Sequence, residues 1–285
     1  MDYLIVTPVK NEAARIDATL QSVIRQTVKP REWIIIDDFS TDGTADIIRR
    51  HLPHHQYMRL LTAPRTPAGD YSSRVVQLVK FGLANLRSDA ELIVKLDGDV
   101  QFGPDFFAGI LHEFEQNPQL GIASGLLTKN GIPEDVDIRS GNTRGATKCY
   151  RRSCLSDIGG LYASTGWDTI DNAAARARSW QTRVLPFEFE HLKPEGSGAG
   201  SPLYNHYRTG LANGRIPYNG LYFTLKALSK TLDRPVLLGP LAQALGYCQT
   251  RFLRRERPFP QFISNQVRHE QQTYLVKRLK RLLPF

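Results

Sequence analysis

Cysteine, methionine and tryptophan are scarce in this 285-residue chain, with three, two and three copies. The cysteines, Cys149, Cys154 and Cys248, are too few and too unevenly spaced for a disulfide framework, and none has metal-ligand spacing. They read as reduced thiols of a cytosolic chain. Long apolar runs are missing as well. The longest, Pro235 to Cys248, falls short of the ~20 residues a spanning helix needs and is broken by Gly239, Pro240 and Gln243, so no transmembrane span is expected. Met1–Val6 reads as a strand without the basic region and cleavage site of a leader, so no signal peptide is expected. Composition is otherwise ordinary, which excludes disordered and collagen-like classes.

Acidic residues are what the last third lacks. Residues 201–285 carry 14 Lys and Arg against 3 Asp and Glu, whereas the first 200 carry 23 against 25. The net charge of +9 therefore belongs to a basic tail section on a nearly neutral body. The length permits a full core, as one large domain or one domain with an appendage.

Short apolar runs alternate with helical patterns through the first half. Strands are predicted at Tyr3–Val9, Trp33–Asp37, Met58–Thr62, Leu92–Leu96 and Leu120–Ser124, and helices at Glu12–Gln26, Thr44–His51, Ser73–Leu86 and Pro104–Asn117. Repeated βαβ units imply an α/β, Rossmann-like fold: a mostly parallel sheet with helices on both faces. From about Gly125 the pattern loosens. Thr128–Arg144 reads as an irregular excursion, Trp167–Trp180 as a helix and Thr182–Phe187 as a strand. Pro194–Pro202 is a Gly/Ser linker, dividing residues 1–193 from a mainly helical extension, 194–285.

The most informative stretch is Leu92-Ile93-Val94-Lys95-Leu96-Asp97-Gly98-Asp99, a buried-strand pattern ending in two carboxylates around a glycine. Strand alternation lets Asp97 and Asp99 converge, and Gly98 would let a ligand approach the backbone. Open α/β sheets bind ligands at this edge. Two close carboxylates call for a compensating cation, and oxygen donors suit Mg²⁺ or Mn²⁺. Asp-Gly-Asp is also ordinary turn chemistry. Two more strand tips lie on the same rim, Thr7-Pro8-Val9-Lys10-Asn11-Glu12 and Asp37-Asp38-Phe39-Ser40-Thr41-Asp42-Gly43-Thr44. Asn11 and Asp42 can cap the following helices, which leaves Glu12, Asp37 and Asp38 to be explained by a ligand.

With these three motifs in this order, residues 1–190 resemble the family 2 glycosyltransferases, inverting enzymes of the GT-A fold. The resemblance implies a nucleotide-diphosphate sugar across the acidic rim. Asp37 and Asp38 would meet base and ribose, with Glu12 and Asp97 towards the ribose. Pro8, Lys10, Asn11 and Gly98 belong to the matching motifs, and Arg74 would face the nucleotide. Asp99 would hold the Mn²⁺ or Mg²⁺ on the diphosphate. Lys10 departs from the aromatic often found before the Asn-Glu pair to stack on the base.

Downstream, Gly166-Trp167-Asp168-Thr169-Ile170-Asp171 resembles the family's acceptor motif. Asp168 is the expected general base, which must lie within hydrogen-bond reach of an acceptor hydroxyl. Asp171 lies on the same helix face and is expected to orient or brace the site. The alternative is a helix capped by Asp168. His191 ends the next strand; imidazole suits Mn²⁺, and relatives place a histidine there near the metal. It is either a metal or diphosphate contact or a structural histidine.

In the tail, Arg251–Arg257 is a cationic patch, and Leu275, Val276, Leu279, Leu282 and Leu283 form one stripe with Lys277, Arg278, Lys280 and Arg281 largely opposite. Such a helix suits an anionic membrane surface or packs on the enzyme's own core. Nucleic acid is not expected, because interleaved aromatics and RNA-binding signatures are missing. The resulting expectation is a metal-dependent inverting transferase acting on a saccharide or lipid-linked saccharide, cytoplasmic or peripheral on the cytoplasmic membrane face. The alternatives are a nucleotidyltransferase, which would need a glycine-rich basic loop that Pro8-Val9-Lys10-Asn11 does not supply, and a non-catalytic binding protein, which would not need both Asp99 and Asp168.

Overall fold

Continuous β-branched and aliphatic runs build the centre of a nine-stranded sheet. A computed structural model of the chain describes residues 1–65, 71–134, 141–193, 201–216, 218, 220–228, 238–253 and 259–282. Strands β1 (Tyr3–Val9), β2 (Glu32–Asp37), β3 (Met58–Thr62) and β4 (Leu92–Leu96) run parallel in the order β3-β2-β1-β4. Trp33–Ile36, Leu4–Val6 and Leu92–Val94 are buried throughout, as expected of strands covered on both faces. Parallel register sets Val9 opposite Asp37, so the tips of β1 and β2 end together.

Beyond β4 the sheet is mixed. β8 (Thr147–Arg151) returns antiparallel between β4 and β6 (Leu120–Lys129), β9 (Gln181–His191) runs parallel to β6, and β5 (Val100–Phe102) lies antiparallel on β9. The mostly parallel expectation therefore holds only for the first half. β5 and β8 escaped the sequence reading because one has three residues and the other interleaves Lys148 and Arg151 with its apolar positions. A two-residue strand, β7 (Ile132–Pro133), pairs with β6 inside the expected excursion, and residues 135–140 of that segment lie outside the described residues.

Helices cover both faces. On one side α1 (Ile16–Ile24), α2 (Thr44–His51) and α4 (Phe106–Gln116) pack Ile16, Leu20, Ile48 and Phe107 against the sheet. On the other, α3 (Tyr71–Ala84), the short α5 (Arg152–Asp157) and α6 (Trp167–Ala177) form a second apolar cluster. The C-terminal helices are α7 (Pro202–Arg215), α8 (Gly220–Leu228), α9 (Leu238–Cys248) and α10 (Gln261–Leu282); Ile216 just after α7, Phe223, Tyr247, Ile263 and Val267 join that same cluster. Residues 194–200, where the expected boundary falls, lie outside the described residues.

α10 rests on α6. Arg176 forks onto Glu270 at 2.6 and 2.7 Å, and the Arg178 guanidinium lies 4.4 Å from the Phe262 ring centre. Leu275 is buried while the adjacent Val276 is exposed, so the single apolar stripe expected over the last turns is divided at its first two members. The side chains from 277 onward lie outside the described residues.

Candidate active site

The loops after β1 and β2 are stitched to each other by the polar residues of their motifs. The Thr41 N–H donates to Asn11 Oδ1 at 2.8 Å and the Asn11 N–H to Ser40 Oγ at 2.9 Å. Ala13 N–H donates to Asp42 Oδ2 at 2.9 Å, and Glu12 N–H to Thr44 Oγ1 at 2.8 Å. Asn11 does not cap its helix but reaches the neighbouring loop, whereas Asp42, one residue before the cap position held by Gly43 at φ +89°, accepts the Thr44 N–H at the start of α2 at 3.1 Å. The Asn11 carboxamide is used in tying the β1 loop to the β2 loop. Left-handed backbone is adopted by Asn11 at φ +55° and by Phe39 at φ +58°. For asparagine this is tolerated; for a bulky aromatic it costs on the order of 1–2 kcal/mol.

Above this stitching, Asp38 accepts from the Arg74 guanidinium at 2.5 and 3.1 Å, and Lys10 Nζ stands 3.6 Å from its other oxygen. Burial pushes the Asp38 carboxyl upward, but the Arg74 hydrogen bond and charge, with Lys10 behind them, outweigh it and hold the group below the usual carboxylate range. Asp37 is buried and accepts the Ser40 N–H at 3.2 Å. Pro8 lies on β1 opposite Ile36. Glu12 receives Arg15 at 3.4 Å and Lys193 at 3.3 Å, which ties the β1 loop to the end of β9.

The centre of the rim is a three-residue group. Antiparallel pairing of β5 with β9 sets His191 opposite Val100, the residue after Asp99, and Leu192 N–H donates to the Asp99 carbonyl at 2.8 Å. His191 Nε2 then lies 3.6 Å from Asp99 and 3.9 Å from Asp97. One donor atom from each of Asp97, Asp99 and His191 falls within 4.8 Å of the others. His191 Nδ1 lies 2.8 Å from the Lys193 carbonyl; that bond fixes the tautomer and leaves Nε2 aimed at the acids, the usual outer support of a metal-ligating histidine. Burial, then the Asp97 charge, pushes Asp99 up to about 6, and the neighbouring Asp97 carboxylate, with Asp99 behind it, raises His191 to about 9 despite burial. Two carboxylates and an imidazole fit Mn²⁺ or Mg²⁺ and leave coordination positions for phosphate oxygens. Asp97, expected to face a ribose, is thereby placed with the candidate metal ligands.

Gly98 serves packing. A Cβ there would come within 2.6 Å of Val9 Cγ1 and 3.3 Å of Ile16 Cδ1. The missing side chain faces the core, so the glycine holds β1 and α1 against the turn, and the expected ligand approach is not its role.

Asp168 and Asp171 diverge. Gly166, at φ +79°, is the residue before α6, so Asp168 is the helix's second residue and not its cap; its carboxylate accepts only the neighbouring Thr169 N–H at 3.0 Å among the bonds seen here. It lines a cavity of about 320 Å³ together with Lys95, Asp97, Arg144, Trp167 and His191. Asp171 is 1% exposed, 2.5 Å from Lys148 Nζ and hydrogen-bonded by the Tyr150 hydroxyl. Asp171 is sealed beneath the site, buried away from any substrate. Removing one partner of such a buried pair typically costs about 3–5 kcal/mol.

Two lysines missed by the sequence reading organise these acids. Lys95 and Lys148 are opposite one another in the β4–β8 register and both are buried, an arrangement unfavourable for like charges. Each is offset by its own acid, Asp97 and Asp171, and their Nζ atoms lie 5.3 and 5.5 Å from the Trp167 ring centre. Lys95 also donates to the Gly145 carbonyl at 2.9 Å and Lys148 to the Asp168 carbonyl at 2.6 Å. The signal in the sequence was a lysine interrupting each apolar strand.

Residues 4–140 match the family described as glycosyl transferase family 2. A poly-beta-1,6-N-acetyl-D-glucosamine synthase of Staphylococcus epidermidis is 26% identical over 203 residues, covering 64% of this chain; the chain spans only 45% of that relative's length. The solved structure of S. aureus TarS 1-349 in complex with UDP-GlcNAc superposes with a TM-score of 0.62 at 16% identity, covering 97% of this chain and 92% of that one. Mannosyltransferase PcManGT from Pyrobaculum calidifontis, in complex with GDP-Man and Mn²⁺, gives 0.59 at 15% identity, covering 98% and 86%. These structures share the GT-A architecture, a mixed sheet with helices on both faces, with this chain. Motifs, fold and this match agree: over residues 4–140 the chain is similar to glycosyl transferase family 2.

Proposed function

We propose that the chain transfers a sugar from a nucleotide-diphosphate sugar to a hydroxyl of a saccharide or lipid-linked saccharide, with inversion at the anomeric carbon. The observation that carries this reading is the metal-suited group of Asp97, Asp99 and His191, two members of which, Asp97 and His191, line one cavity with Asp168. Polysaccharide or glycolipid synthesis is the process it best suits, given the polymer-forming relative.

The nucleoside end of the donor lies over the β1 and β2 tips. Asp37 and Asp38 accept from base and ribose, and Arg74 and Lys10 hold Asp38 ionised and in place. Asp97, Asp99 and His191 would hold Mn²⁺ or Mg²⁺, which would supply positive charge to the departing diphosphate. Asp168 takes the acceptor proton as the hydroxyl oxygen attacks the anomeric carbon from the face opposite the diphosphate; one displacement of this kind inverts the centre. Lys95 and Lys148 keep Asp97 and the first turn of α6 in register, so base and donor site move as one rigid unit.

Phe39 supplies the stacking surface that Lys10 does not. It is 40% exposed, lies next to Asp38, and the Arg65 guanidinium sits 5.5 Å from its ring centre. A strained, exposed aromatic at a ligand rim points to function. Phe39→Gly relieves the left-handed strain and is expected to keep or raise thermal stability, while nucleotide affinity falls about tenfold, within the range for one lost base stack. Calorimetric melting and nucleotide titration check both halves; unchanged affinity would remove the stacking role.

The reading as a whole is tested by incubating the protein with Mn²⁺ and a panel of nucleotide sugars. Thermal stabilisation by one donor, followed by sugar transfer to added saccharide acceptors, is the expected result. Nucleotidyl transfer to a sugar phosphate, or binding without turnover on any acceptor, would replace it with one of the two alternatives.

A further inference from the structure

The outer face of α9 is a continuous apolar stripe. Leu238, Leu241, Leu245 and Phe252 are 56, 57, 59 and 71% exposed, and Cys248 between them is exposed as well. The spacing of 3, 4, 3 and 4 residues keeps all five on one side through the helix and the wide turn that continues it, Gln249–Leu253. The opposite side, Gly239, Ala242, Gln243, Gly246 and Tyr247, is buried. Turning the stripe outward is therefore a property of how α9 is seated.

That seating is tight. A Cβ at Gly246 would fall 2.2 Å from the Tyr207 carbonyl oxygen of α7, and one at Gly210 of α7 would fall 2.0 Å from the Gln243 carbonyl oxygen of α9. Backbone meets backbone, so α9 cannot roll its leucines inward without losing this contact. Large apolar residues grouped on a surface mark an interaction site. No helix among the described residues is long and apolar enough to cross a membrane, so the stripe is not part of a span.

Charge decides the occupant. The stripe lies within residues 201–285, which carry 14 basic residues against 3 acidic ones, and its end runs directly into Arg251-Phe252-Leu253-Arg254-Arg255-Glu256-Arg257. Apolar side chains on one helix face, with the exposed Arg251 beside Phe252 and the basic excess of the surrounding sequence, suit an anionic bilayer surface, which takes apolar side chains at its acyl boundary and cations at its phosphates. We propose that α9 and the turn after it form a monotopic docking face for anionic lipid. This face is distinct from α10, which rests on α6 through Glu270 and Phe262, and it does not depend on the reaction catalysed.

Vesicle flotation of the whole chain tests the assignment. The protein is expected to float with phosphatidylglycerol-containing vesicles at low salt, much less at high salt, and little with pure phosphatidylcholine. The triple variant L241S/L245S/F252S is expected to lose binding at least about tenfold, since each buried side chain contributes to the affinity, with melting temperature and nucleotide binding unchanged because all three positions are solvent-facing. Failure of the wild-type chain to float with anionic vesicles overturns the proposal, as does equal flotation of the triple variant. A dimer in sedimentation velocity that the same substitutions dissociate also overturns it, by giving the face to a second copy of the chain.

Discussion

Asp168→Asn is expected to lower turnover by about 10²–10⁴-fold, the usual contribution of a general base, while donor affinity changes by no more than about twofold. The amide keeps the size of the carboxylate and can accept the Thr169 N–H, so the start of α6 is preserved. What it cannot do is take a proton from the acceptor. The contrast with Asp171 is the internal control, because that acid lies buried against Lys148 and Tyr150, where its loss reads out as instability. Steady-state rates on a saccharide acceptor, set beside nucleotide-sugar titrations of the same variant, separate the two roles. Turnover that survives, or donor binding that collapses with it, would take the base role from Asp168.

Asp99→Asn should weaken metal-dependent nucleotide binding by about 100-fold or more, since even outer-shell partners of a metal site are worth about 10–100-fold. Asp99 is the acid in the pair that burial and its neighbour's charge penalise most, and a cation is what relieves that penalty. The measurement is the Mn²⁺ concentration at which nucleotide-diphosphate binding is half-maximal. Asp97→Asn is expected to shift that midpoint too, as the third donor; a midpoint left in place would return Asp97 to the ribose. An unchanged metal requirement in Asp99→Asn would sink the metal assignment.

Much of the N-terminal half was legible in the sequence. β1, β3, β4 and α2 fall where periodicity places them, because a strand buried on both faces needs an unbroken apolar run and a surface helix needs an apolar stripe. The acids at the strand tips followed from the strands. Arg74, expected from the resemblance to face the nucleotide, donates to Asp38 at the tip of β2. The sheet beyond β4 was less legible, because β8 carries Lys148 at a buried position and an isolated strand gives no hint of the acid that will pair with it.

The chain's own order of residues determined the parallel half of the sheet, the three motif loops on one edge and the basic excess of the last third. These depend on local spacing and composition. Only the tertiary structure decided the rest. It brought His191 to Asp99 through the pairing of β5 with β9, and it gave Gly98 to the core through contact with Val9 and Ile16. It also split Asp168 from Asp171, since residues three apart on a helix point in directions far enough apart that a packed neighbour can bury one and leave the other at a cavity. For the same reason α9, apolar on more than one side, shows its leucines to solvent: glycine contacts with α7 chose which face turned inward.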